Sequence, residues 1–173
     1  MYIFLFPTEL EATPFRRLCP MAKVYISGVG MAATAAAIAS ISQRNELGDD
    51  VCVVLCGIAG SYVADVAVGD VVEVASECCA ELPDRFRIVY RPKSLLTTLR
   101  GVSSNCVDGK CACLSDAQIE NMEGATLFAM SEIMGFRAAE IRAISNRVGD
   151  PFEKWQIAMA TERLAEELLR LYP

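Results

Sequence analysis

The residues best suited to chemistry are Glu123 in Glu120-Asn-Met-Glu-Gly-Ala125, Asn146 in Ile141-Arg-Ala-Ile-Ser-Asn146, and Glu11 in Thr8-Glu-Leu-Glu-Ala12. Carboxylates move protons and stabilise developing positive charge, and an amide offers a donor and an acceptor on one planar group. The chain has no histidine, which excludes Ser-His and Cys-His nucleophilic dyads. Two glycine-bearing segments stand beside these residues: Ser27-Gly-Val-Gly-Met31 and Cys56-Gly-Ile-Ala-Gly-Ser61. Each reads as a turn after a β run, where backbone amides can cradle an anion or let a sugar approach closely. The first lacks both the third glycine of the dinucleotide fingerprint and the Gly-Lys-Ser/Thr ending of a P-loop. Each feature also has a plain structural reading. The glycines can serve tight turns, Glu123 can favour a helix dipole, and Ser145-Asn146 can be an ordinary turn.

The 173 residues carry 16 Lys+Arg against 22 Asp+Glu, a formal charge of −6, which excludes a basic nucleic-acid footprint. A chain of this length buries roughly 70% of the surface its unfolded form exposes. Its 53% hydrophobic content supports one core and one domain over residues 1–173. The run 2–6 has no basic flank and reads as a buried strand, not an export signal. The eight cysteines are therefore expected as reduced thiols in a cytoplasmic protein. No metal site is expected: Cys78/Cys79 and Cys111/Cys113 lack the spacer of zinc knuckles, and Cys52 and Cys56 fall in an apolar run. Residues 24–43 hold no charge, but Gly28, Gly30 and six alanines divide them into a short β run and an Ala-rich helix. No membrane span is expected.

The elements that must position these groups alternate along the chain. Strand-type runs fall at 2–6, 23–27, 51–56, 71–75, 86–89, 101–107 and 140–145, and helical patterns at 9–18, 31–44, 93–99, 123–134 and 151–172. Asp150 and Pro151 suit the start of the last helix, along which Trp155, Leu164, Leu168 and Leu171 recur. The run 51–56 is apolar on both faces, as a strand covered on each side requires. The expected fold class is α/β, a three-layer αβα sandwich with a mixed central β-sheet. Ligands collect at the carboxyl ends of such strands, here around Glu9, Gly28, Gly57, Asn105 and Asn146.

In order along the chain, five pieces resemble the nucleoside phosphorylase and nucleosidase superfamily, most closely the futalosine hydrolases. They are Ser27-Gly-Val-Gly-Met-Ala-Ala-Thr-Ala35; Gly57-Ile-Ala-Gly-Ser61 with Val68-Gly-Asp-Val-Val-Glu73; Val102-Ser-Ser-Asn-Cys-Val107; Glu120-Asn-Met-Glu-Gly-Ala125; and Ile141-Arg-Ala-Ile-Ser-Asn146. The resemblance implies hydrolysis of the N-glycosidic bond of a 6-oxopurine ribonucleoside such as futalosine, with release of hypoxanthine in menaquinone biosynthesis. It gives Glu123 the ribosyl hydroxyls, lays Met122 against the sugar and sets Asn146 at the purine edge. Glu11 would position the attacking water, with Glu9 close enough to compete for that role. Gly28, Ala59, Gly60, Val107 and Asn121 would complete the substrate-binding set. No cofactor is implied, and a homo-oligomer is.

Phosphorolysis needs a basic phosphate pocket, but Ile58-Ala-Gly-Ser61 carries no arginine, so water is the expected nucleophile. Methylthioadenosine/adenosylhomocysteine nucleosidase and purine nucleoside phosphorylase are the enzyme alternatives, and a nucleoside-binding protein without turnover is the third. The chain is shorter than the resemblance leads one to expect: only Arg16 to Ala22 separate the first helix from the second strand, and a second shortening lies between Asp108 and Asn121.

Overall fold

The computed structural model describes residues 1–109 and 116–171. Its strands are β1 (Tyr2–Phe6), β2 (Val24–Ile26), β3 (Cys52–Ser61), β4 (Val71–Cys79), β5 (Val89–Tyr90), β6 (Gly101–Cys106), β7 (Ile119–Asn121) and β8 (Arg137–Arg147). Its helices are α1 (Glu9–Leu18), α2 (Met31–Gln43), α3 (Gly124–Met134) and α4 (Ile157–Leu171), with two short 3-10 turns at Asp84–Phe86 and Phe152–Lys154. The eight strands form one mixed sheet. β1 lies parallel to β2 and β3, and β3 lies parallel to β8. Beyond β8 the pairings run through β4, β6 and β7, and β7 returns antiparallel to the end of β3.

Alternation along β1 divides the core. Phe4 and Phe6 pack with Phe15 of α1 and Leu164 and Leu168 of α4, whereas Ile3 and Leu5 pack with Ile38 of α2 and Leu127 of α3. A third cluster joins Ala59, Val72, Val102, Ile119, Phe128 and Ile144. Among the described residues no helix is long and apolar enough to cross a membrane, and no group of potential ligands could hold a metal.

Several expectations are corrected. The run 51–56 does not end in a turn: β3 continues through Ser61, paired with β8 along its length apart from a shift of register at Ala59/Gly60. The glycine at 57 reflects crowding, since a Cβ there would lie 2.6 Å from Arg142 Nη1 and 3.0 Å from Glu11 Oε1. The helix expected at 93–99 is absent. The Glu73 carboxylate takes the amides of Leu96 and Thr97 and the Thr97 hydroxyl, and the Leu99 amide turns to Thr97 Oγ1. The last helix starts at Ile157, not at Pro151, because the Asp150 carboxylate accepts from the Arg147 amide in a turn. Trp155 precedes that helix, its ring 5.3 Å from Phe152 and its Nε1 donating to the Asp150 carbonyl. The Cys111/Cys113 pair and Tyr172 lie outside the described residues.

Candidate active site

The ends of β3, β6, β7 and β8 and the N-termini of α2 and α3 bring a polar cluster into the interior. At its centre is Arg142, 1% exposed. Its Nε donates to Glu140 Oε1 at 2.7 Å, and its Nη2 donates to Glu123 Oε2 at 3.1 Å and to Asn121 Oδ1 at 2.9 Å. Burial alone would weaken that charge, but Glu140 and Glu123 together hold the guanidinium above the ordinary arginine range. Asn121 is the second hub. Its oxygen also accepts from the amides of Glu123 and Gly124, and its Nδ2 donates to Glu77 Oε2 and Ser104 Oγ. The first turn of α3 thus gains an acceptor for two of its otherwise unpaired amides.

Glu123 is the cap residue of α3, and both its oxygens are held by donors: Oε1 by the Gly30 amide at 3.0 Å, Oε2 by Arg142. Gly30 offers that amide with φ of +92°, and Gly28 has φ of +81°. The two glycines make the left-handed turn that points the α2 N-terminus at Glu123. The first glycine segment is therefore a built part of the site.

Glu11 is buried and approaches from α1. Its Oε2 accepts from the Thr8 hydroxyl at 2.6 Å and its Oε1 from the Ile58 amide at 3.0 Å. Thr8 is also the cap of α1, accepting from the Glu11 amide. Burial pushes the Glu11 carboxyl above the usual range, against the pull of Thr8, Ile58 and Arg142. Glu9 is exposed and paired with Arg16, so the carboxylate brought into the cluster is Glu11.

Asn146 is buried beside Gly60, where a Cβ would lie 3.2 Å from its Nδ2. Its Oδ1 accepts from the Ser145 hydroxyl and its Nδ2 donates to the Arg147 carbonyl. Val107 is buried next in line after β6, its amide bonded to the Asn121 carbonyl. Ala59 is buried, its side chain packed in the apolar cluster with Val72 and Ile144. Met122 is half-buried between Asn121 and Glu123.

Sequence reasoning assigned no role to Arg142, Glu77, Glu140 or Ser104. The available signal was a glutamate and an arginine two apart within the apolar run Ala138-Ala-Glu-Ile-Arg-Ala-Ile144. An apolar groove of about 260 Å³ adjoins the cluster through Met31, Ala125 and Thr126, with Leu82, Phe86, Ile88 and Tyr90 forming its other wall. A larger cavity, about 620 Å³, lies at the opposite end of the sheet near Cys52 and Arg137 and is remote from these carboxylates.

No protein-family model matches the chain. The futalosine hydrolase of Thermus thermophilus is 28% identical over 216 alignment positions, covering 99% of this chain and 95% of that protein. Over nearly its whole length the chain is thus similar to a futalosine hydrolase. The solved futalosine hydrolase of Helicobacter pylori superposes with a TM-score of 0.81 at 16% identity, over 97% of this chain and 95% of that one. A 5′-methylthioadenosine/S-adenosylhomocysteine nucleosidase from Helicobacter pylori, solved with butyl-thio-DADMe-Immucillin-A, gives 0.84 at 15% identity, over 98% and 96%. The fold is thus that of the nucleosidases. The 173 residues are spread over 216 positions, so the Thermus relative carries segments without counterpart here.

Proposed function

We propose that the chain hydrolyses the N-glycosidic bond of a 6-oxopurine ribonucleoside of the futalosine type, releasing hypoxanthine. The observation that carries this reading is the pair of buried carboxyl groups, Glu123 and Glu11, that converge on Arg142 from different elements. As the bond to the base lengthens, the ribose becomes cationic and the purine anionic, so a carboxylate at the sugar favours the transition state. Glu123 binds the ribosyl hydroxyls, Met122 lies against the sugar, and Asn121 fixes Glu123 through its amide. Glu11, with its raised carboxyl, takes the proton of the attacking water. Gly28 and Gly60 leave room for the nucleoside, Val107 packs on the base, and Asn146 donates to O6 and accepts from a protonated N7. The groove at Met31 and Ala125 takes an apolar group on the sugar.

The division of the helices into α1 with α4 and α2 with α3 supports the three-layer sandwich, in a single domain. Exposed Leu82, Phe86, Ile88 and Val89 suit contact with a second copy, as in a homo-oligomer. A cytoplasmic place in menaquinone biosynthesis follows from the same reading. Incubation with futalosine, methylthioadenosine and inosine, each with and without phosphate, tests it. Free hypoxanthine released from futalosine without phosphate is expected. Release of adenine alone, or a strict need for phosphate, would replace it with one of the alternatives.

A further inference from the structure

Against Gly124, the residue after Glu123, two more glutamates meet. Glu77 of β4 and Glu140 of β8 are both fully buried. A Cβ on Gly124 would lie 2.3 Å from Glu140 Oε2 and 2.5 Å from Glu77 Oε2, so both carboxyl groups press on the one position in α3 that has no side chain. Glu140 Oε1 is held by Arg142, and Glu77 Oε2 by Asn121. Glu140 Oε2 receives no donor from any described neighbour. Two ionised carboxylates in this position would leave that oxygen bare and facing like charge. A single proton between them supplies the missing donor and removes one charge. The charge count agrees: Glu11, Glu77, Glu123 and Glu140 are all buried around one guanidinium.

We propose that Glu77 and Glu140 share one proton and that this acid pair is a positioning device, which through Arg142 and Asn121 holds Glu123 in its ribose-binding orientation. The device rests on the nucleosidase reading of Glu123; the shared proton does not. Arg142 is the only guanidinium bonded to either Glu123 or Glu140 among the described residues. A second negative charge on the pair draws Arg142 toward β8 and loosens its bond to Glu123. Burial, then the charge of Glu140, raises Glu77 strongly; burial raises Glu140 as well, against the pull of Arg142. The other titratable groups facing the pair are Glu123 at the start of α3 and the thiols of Cys56 on β3 and Cys106 on β6, both thiols pushed upward by burial. No other cation reaches it from these elements.

The test compares wild type with Glu77→Gln, which carries a neutral group permanently. Unfolding by denaturant is followed from about pH 6 to about pH 9, where the wild type retains a proton that the unfolded chain releases. The wild-type folding constant should then fall relative to that of the variant by up to about tenfold per pH unit. Parallel curves would overturn the shared proton. Glu140→Gln is the second variant, because its amide oxygen accepts from Arg142 and its NH2 donates to Glu77; it should lose the same pH dependence. For the positioning role, the wild type should lose kcat at alkaline pH with KM little changed, and Glu77→Gln should lack that fall, whereas Glu77→Leu lowers kcat at every pH. An identical alkaline fall in wild type and Glu77→Gln would overturn the positioning role. Diverging stability curves with no turnover on any nucleoside would instead sink the nucleosidase reading and leave the proton pair in place.

Discussion

Arg142 Nη2 lies 3.1 Å from Glu123 Oε2, and both side chains are withdrawn from water. The strand β8 therefore carries a charge into the interior to meet the cap residue of α3. Such a pair exacts desolvation from both partners, and its removal from one side is far more damaging than its loss as a unit.

Arg142→Leu should accordingly destabilise the fold by about 3–5 kcal/mol, because Glu123 and Glu140 are left buried without a cation. Denaturant unfolding at neutral pH measures this. A loss below about 1 kcal/mol, the range of exposed pairs, would mean that the guanidinium is solvated.

Gly124→Ala tests the crowding. Its Cβ would meet three carboxyl oxygens of Glu77 and Glu140 at 2.3–2.7 Å. Overpacking of this kind costs about 1–3 kcal/mol and here displaces the pair that holds Arg142. A melting temperature equal to that of wild type would contradict the placement of these glutamates.

Much of this site was legible in the sequence. Met122-Glu123-Gly124-Ala125 and the approach to Asn146 stand out as polar interruptions of apolar runs, and Glu123 and Asn146 are both buried in the structure. The partners of Glu123 were less legible, because a buried ion pair between distant strands leaves only unpaired charges in each. Glu77 lies 63 residues before Glu140, with nothing local linking them. The segment 93–99 has the spacing of a helix, but Glu73, twenty-three residues earlier than Leu96, takes its amides. Gly57 and Gly60 read as a turn in the sequence, because a glycine that makes room for a side chain cannot be told by sequence from one that bends the chain.

The Glu11 carboxyl is raised by burial and lowered by the Thr8 hydroxyl. As a base it works only when ionised, so kcat/KM should fall as pH drops through a value above the ordinary 4.5. Thr8→Ala removes a donor to the charged form, so the acid limb should move to higher pH. It also costs about 1 kcal/mol in the lost helix cap. Glu11→Ala should abolish hydrolysis and leave hypoxanthine binding measurable, and Glu9→Ala should stay active. An unmoved acid limb in Thr8→Ala would remove Glu11 as the base.

Asn146→Asp probes the purine edge. An ionised aspartate only accepts, so preference for 6-oxopurine nucleosides over adenine nucleosides should weaken by about 1–3 kcal/mol, roughly tenfold to a hundredfold. A competition assay between inosine and adenosine measures the ratio. The same ratio in both proteins would make Asn146 a residue of the turn alone.

On the proposed function, Glu123 supplies the charge that a cationic ribosyl group needs. The most direct measurement is single-turnover release of hypoxanthine from futalosine by wild type and by folded Glu123→Gln. Glutamine keeps the volume but offers one acceptor where the Gly30 amide and Arg142 supply two donors. The rate should fall at least about 100-fold in the variant, the loss expected when one preorganised electrostatic partner is removed. Release within about threefold of wild type, from a variant with native circular dichroism, would remove Glu123 from the reaction.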